Sequence, residues 1–199
     1  MDTKSVKGTY GYLDRNRVQA WKRTALMLSV PVIIFLAAWV LHGTRENVMT
    51  VVAIVGCLPG CNQAVRAIMA GRYHSMEKAL WERTEEARGD LQVLYENVFT
   101  SYEVNYYVDC IAVSGREVVG YSSDNGLDAA KAAEHIRTML KNSSYKQNVK
   151  ILKEEKAFLE RIRSLSEHGT EPAPFQGDDR YPGCTRDEII VHLLMAISL

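Results

Sequence analysis

The sequence predicts an α/β (α+β) protein in two parts. An N-terminal transmembrane helical hairpin comes first. A cytoplasmic domain follows, with a three-stranded antiparallel meander plus a further strand, flanked by helices. Three observations predict this. Two apolar runs without formal charge stand at Thr24–Thr44 and Asn47–Val65. Basic residues crowd the front: residues 1–73 hold nine Lys and Arg against three Asp and Glu, and the remainder holds 15 against 21. Beyond residue 75, Tyr- and Val-rich segments of period two lie between segments of helical period.

The first run, "TALMLSVPVIIFLAAWVLHGT", is 21 residues long. At about 1.5 Å per residue it covers about 30 Å, the thickness of the hydrocarbon core. Pro31 is tolerable there, because neighbours in a membrane helix satisfy the freed carbonyl. Trp39 lies near one end, where an indole prefers the interface. No small-residue cleavage site precedes the next apolar segment, so the run is expected to stay as an anchor rather than leave as a signal peptide.

The second run is 19 residues and closes on Arg66, which can snorkel on its aliphatic stem. "GTREN" (Gly43–Asn47) is the expected turn between the runs. Gly56, Pro59 and Gly60 interrupt the second run, so a buried soluble strand–turn pair is the alternative. Gly56 and Gly60 stand four apart, a spacing that lets two helix backbones approach, and are the expected helix-packing residues. Six basic residues precede the first run, and Arg66, Arg72 and Lys78 follow the second. The positive-inside rule then expects a multi-pass protein of the cell membrane with both termini cytoplasmic. The expected parts are a basic N-terminal segment (1–23), the hairpin (24–70) and the cytoplasmic domain (75–199).

Within that domain, "SMEKALWERTEEARGD" (75–90) predicts a helix with Ser75 as N-cap and Gly89 at its end. Strands are expected at 91–99, 102–113 and 118–123, the last two joined by "SGRE". A helix at 126–144, a short strand at 147–153 and a helix at 154–168 follow. The stretch 169–184 holds three of the five Pro and reads as a loop. The last helix starts at Thr185, with Glu188 three residues on, the pattern of a capping box. Its apolar stripe (Ile189, Ile190, Leu193, Leu194, Ile197) packs on the sheet or binds a partner; both stay open.

Chemistry-bearing motifs are scarce. The five His are scattered, and no CxxC, HExxH, GxSxG, phosphate-binding or dinucleotide fingerprint occurs. No metal and no cofactor are expected, and no catalytic residue is identified. The acidic rear argues against a nucleic-acid groove, because phosphates demand a basic one. Asp109, between Tyr107, Val108, Cys110 and Ile111, is expected on the solvent side of an alternating strand. Glu103, Asp109 and His135 are the binding candidates. A pocket joining Glu103, Asp109 or Glu117 with His135 would mark an enzyme; a flat apolar surface on the last helix would mark a binding module.

The order α-β-β-β-α-β-α resembles the core of the PD-(D/E)xK nuclease-like superfamily. That resemblance implies an Asp on the second strand and a (D/E)xK on the third, together holding a divalent metal. Asp109 in "YYVDCIAV" falls at the Asp position. Gly120, Tyr121 and Ser122 stand where the acid and Lys would be, so the resemblance implies a core without its catalytic motif. Over most of its length, through "GYLDRNR" (Gly11–Arg17), the apolar runs and "VMTVVAIVGCLPG" (Val48–Gly60), the chain also resembles a family of small uncharacterised two-helix bacterial membrane proteins. Some members are labelled O-GlcNAc-transferase-like, but no tetratricopeptide repeat or sugar-nucleotide motif accompanies that label here. The function expected is a membrane-anchored cytoplasmic binding or regulatory module. Its partners would be the lipid bilayer and a protein partner or a second copy. The alternative is a membrane-tethered hydrolase or transferase.

Overall fold

The computed structural model describes residues 7–42, 48–101, 104–169, 181 and 183–198. The expected turn Gly43–Asn47 and most of the 169–184 loop lie outside them. The chain forms two compact units, Leu13–His74 and a second made of residues through Tyr12 with Ser75 onward.

The first unit is built from two helices, α1 (Tyr12–His42) and α2 (Val48–Ala70). Both are continuous through a proline, Pro31 in α1 and Pro59 in α2, so the interrupted second run is a helix and not a strand–turn pair. Both are long and apolar enough to cross a membrane. α1 begins well before the apolar run, so the basic stretch expected as a separate segment is helical from Tyr12. At about 1.5 Å per residue its 31 residues run about 46 Å, more than the roughly 30 Å of a hydrocarbon core. A polar first turn is therefore not at odds with a membrane helix; it belongs to the part left over.

Small residues make the seam between the two helices. Ala20, Thr24 and Ala38 of α1 and Ala53 and Ala67 of α2 are buried. Gly56 and Gly60 both face α1. A β-carbon at Gly60 would lie 2.5 Å from Leu28 Cδ2 and 2.9 Å from its Cγ, whereas one at Gly56 would meet Pro31 Cβ at 3.5 Å, ordinary contact.

The second unit is a three-layer sandwich. Its four-stranded sheet runs β1 (Gln92–Thr100), β2 (Asn105–Ser114), β3 (Glu117–Tyr121) and β4 (Asn148–Leu152), in that spatial order. The first three strands are an antiparallel meander and β4 lies parallel to β3. The parallel step needs a crossover, which α4 (Ala129–Asn142) supplies. One face of the sheet is covered by α4 and α6 (Arg186–Ile197), through Ile136, Leu140, Ile189, Ile190 and Leu194. The other is covered by α3 (Lys78–Arg88) and α5 (Glu155–His168), through Leu80, Ala87, Phe158, Ile162 and Leu165. The apolar stripe of α6 is thus spent in the core. Its start carries the expected capping box, with Thr185 and Glu188 bonding reciprocally. The start of α3 differs from expectation: Glu77 precedes it without a side-chain cap, and Ser75 is engaged elsewhere.

The outer edge of β1 is covered from both ends of the chain. The Tyr95 amide donates to the Gly8 carbonyl at 2.9 Å, and Ser198 bridges Phe99 in antiparallel fashion. Gly8 has φ 80°, and a β-carbon there would sit 2.6 Å from Leu94 Cδ2, so only glycine fits this approach. Lys7 Nζ donates to the Met195 carbonyl at 2.9 Å and to that of Ser198. Tyr10 stacks on Trp81 with ring centroids 5.0 Å apart.

The contrast between the two hairpin glycines is testable. Gly56→Ala should leave the thermal midpoint of the detergent-solubilised chain unchanged or raise it, since helix propensity improves by about 1 kcal/mol. Gly60→Ala should lower it, because Leu28 must move, at an overpacking cost of about 1–3 kcal/mol. Equal shifts for the two variants would show that the seam does not run along this stripe.

Candidate functional site

A buried polar junction crosses β1 and β2. The pairs Tyr95↔Cys110 and Asn97↔Val108 set Glu96 opposite Asp109. Each is only 2% exposed. Glu96 has φ 56°, in the left-handed region that non-glycine residues avoid. The conformation shifts the alternation of the strand. Leu94 lies in the α4/α6 core and Tyr95 in the α3/α5 core, yet past Glu96 it is Phe99 that enters the α4/α6 core. β2 shifts in step, with Val108 and Ile111 on the α4/α6 side and Cys110 on the other.

Glu96 uses both carboxylate oxygens. The Gly11 amide donates to Oε1 at 2.7 Å and the Ser75 hydroxyl to Oε2 at 3.1 Å. Asp109 accepts from the Ser123 amide at 2.6 Å and from the Tyr107 hydroxyl. Ser122 Oγ donates to the Tyr107 carbonyl at 2.6 Å. Asp109 is therefore enclosed, which corrects the expectation that it faces solvent: helices cover both faces of this sheet, so the alternating strand has no solvent side here. Burial pushes its pKa up, and the bonds from Ser123 and Tyr107 only partly oppose that. The Tyr107 hydroxyl is pushed up by burial first and then by the Asp109 charge. Burial also raises the Cys110 thiol, which makes it an inert core residue rather than a nucleophile.

His135 stands elsewhere, on α4. Its ring lies against Tyr106, with centroids 5.6 Å apart. Two shallow depressions flank it. One of 330 Å³ is lined by Tyr106, Ala130, Lys131, Glu134 and His135, and one of 620 Å³ by Thr100, Ser101, His135 and Met139. This surface offers a ring pair, a cation, a carboxylate and hydroxyls, a set suited to recognising a polar ligand or peptide. Among the described residues no carboxylate hydrogen-bonds His135 to orient it as a general base.

The candidate acids are not gathered around His135. Asp109 is held by Ser123 and Tyr107, and Glu117 pairs with Arg161 of α5. Glu103 lies outside the described residues. Among the described residues no group of three His, Cys, Asp or Glu is placed to hold a metal ion. Sequence reasoning missed Glu96 and Ser75. The one visible signal was the polar pair Glu96–Asn97 inside "LYENVF", which breaks a period-two pattern. No protein-family profile, curated protein or solved structure matches the chain.

Two outcomes follow from the junction. Glu96→Ala should destabilise the chain, since the Gly11 and Ser75 donors lose a charged acceptor worth about 1.5–3 kcal/mol per bond. Glu96→Gly should recover about 1 kcal/mol of that loss, because glycine adopts the left-handed conformation freely. Chemical denaturation of the purified chain would order the three, and an alanine variant more stable than the glycine one would refute the backbone assignment.

Asp109 sets the second outcome. Its carboxyl is held above the ordinary value of 3.8, so its contribution to stability is complete below that value and is lost as pH rises through the raised one. Asp109→Asn should flatten the decline in stability that sets in as pH rises above 3.8, and denaturation curves of equal pH slope for the two proteins would contradict this.

Proposed function

We propose that the chain is a membrane-anchored binding or regulatory module, crossing the cell membrane twice and holding its α/β domain and both termini on the cytoplasmic side. The observation that carries the reading is the shared acceptor at Glu96. Gly11 directly precedes α1 and Ser75 follows α2, and both bond this one carboxylate. A single crossing between them would put them on opposite faces of a bilayer; a common partner supports an even number.

The surface of the helices supports lipid as their solvent. Among the described residues, every exposed large apolar side chain except Val104 lies between Val18 and Met69. Trp21 and Trp39 are 50% and 43% exposed. Eighteen positions separate them, about 27 Å along a helix, which suits two interfacial anchors. The weight of Lys and Arg beside Gly11 and Ser75 supports the cytoplasmic side.

For the domain, the reading rests on a binding surface at Tyr106 and His135, with a protein partner or a second copy as its ligand. Anchoring confines the domain to two dimensions and raises its effective concentration for a membrane partner. The tethered-enzyme alternative would need the acids and His135 in one pocket, and their separate engagements weigh against it. The strand order and element order support a PD-(D/E)xK-like core without the catalytic groups. A β-carbon at Gly120 would already meet Val108 Cγ1 at 3.2 Å, so an acid at that position would be crowded.

Tags on Met1 and Leu199 should both stay protected from external protease in intact cells, and the protein should resist alkaline extraction of membranes. A photocrosslinker at Met139 should capture one discrete species in native membranes. Recovery of the chain in the soluble fraction, or protection of only one tag, would refute the two-pass arrangement; the absence of any crosslinked species would refute the binding surface.

A further inference from the structure

We infer that the base of the hairpin is a collar that binds the headgroups of anionic phospholipids. The inference rests on the membrane-anchored reading above and adds the chemistry of the lipid. Within the Leu13–His74 unit, Gly60 packs against Leu28, Gly56 against Pro31 and Gly71 against the Arg17 side chain, a consistent antiparallel register. That register sets Arg66 level with Lys22 and Arg72 level with Arg15 and Arg17. Two cationic tiers result. Lys22, Arg23 and Arg66 form one, and Arg15, Arg17 and Arg72 the other.

The tiers lie about six residues apart, or about 9 Å along the helices. The headgroup region on one side of a bilayer is about 5–8 Å deep. Trp21 marks the hydrocarbon boundary beside the inner tier, so the two tiers bracket the phosphate layer. Five of the six cations are exposed. Arg17 is half-buried, held at 2.9 Å from His74 Nδ1 and 3.6 Å from Asp14, the one acid in these segments. The opposite end of the hairpin, by sequence, carries only Arg45 and Glu46, whose charges cancel. An arrangement of cations at one end and at headgroup depth, with Lys22, Arg23 and Arg66 exposed in the inner tier, fits diffuse recognition of lipid phosphates. Cations near an anionic leaflet each favour association about fivefold, so even a partial collar should select its lipid.

Tryptophan quenching in vesicles tests this. Two proteins are compared, one retaining Trp21 (Trp39→Phe, Trp81→Phe) and one retaining Trp39 (Trp21→Phe, Trp81→Phe). Each is reconstituted with brominated phosphatidylcholine or brominated phosphatidylglycerol. At Trp21 the anionic lipid should bind at least fivefold better than the zwitterionic one. The preference should fall with added salt, be absent at Trp39, and drop towards unity in the Lys22→Gln, Arg23→Gln, Arg66→Gln variant. Equal quenching by both lipids at Trp21, or the same preference at both tryptophans, would overturn the collar while leaving the hairpin in the bilayer. A preference abolished by inorganic phosphate, but not by chloride at matched ionic strength, would overturn it in favour of a free-phosphate site. No quenching by either lipid at either tryptophan would instead sink the membrane reading itself. Because the wild-type salt dependence already decides between the first two outcomes, a failure of the triple variant to fold would not rescue the idea.

Discussion

The Glu96 carboxylate, buried in the middle of β1, gathers two chain segments that lie far apart in sequence, Gly11 and Ser75. Its backbone stands at φ 56°, a conformation that costs a non-glycine residue about 1–2 kcal/mol. Hydrogen bonds to a charged group contribute about 1.5–3 kcal/mol each, and Glu96 accepts two. Together the two bonds outweigh the strain. Gly11 and Ser75 supply them from the two chain segments that flank the hairpin.

The same strand solves a second problem with material from the chain ends. β1 is an edge strand, and an uncovered edge invites pairing with other chains. Gly8 takes its Tyr95 amide, and Ser198 bridges it at Phe99. α6 has no basic residue in its last turn, so its terminal carbonyls lack a local cation. Lys7 provides one, although burial lowers its pKa. This closure joins residues 188 positions apart and waits for the last helix to be made.

Elements with a strong local code were legible in the sequence. Ile189, Ile190 and Leu194 marked the buried stripe of α6, and Thr185 with Glu188 marked its cap, because helix period and capping chemistry are both local. The meander was legible from its Tyr and Val runs. The start of α1 was not, since hydropathy marks where the apolar run begins and not where the helix does; the helix passes through Arg15 to Arg23 without interruption. The role of Asp109 was not legible either. Its neighbours alternate as a half-exposed strand would, but helices cover both faces of this sheet, and the shift at Glu96 depends on a pairing partner that the strand alone cannot reveal. Ser75 read as a cap because it stands before a helix, and it serves instead a carboxylate 21 residues on.

The proposed anchoring gives the distribution of charge a physical reason. After residue 73 the chain carries 15 basic and 21 acidic residues, a balance unfit to adsorb on an anionic leaflet. A domain of this sign stays at a membrane only if an anchor holds it there. The cations are concentrated instead at the ends of the two helices long and apolar enough to cross a membrane. Were adsorption the means of attachment, the excess of Lys and Arg would fall on the α/β domain. It falls on α1 and the end of α2, the distribution expected if those two apolar helices cross a bilayer as proposed.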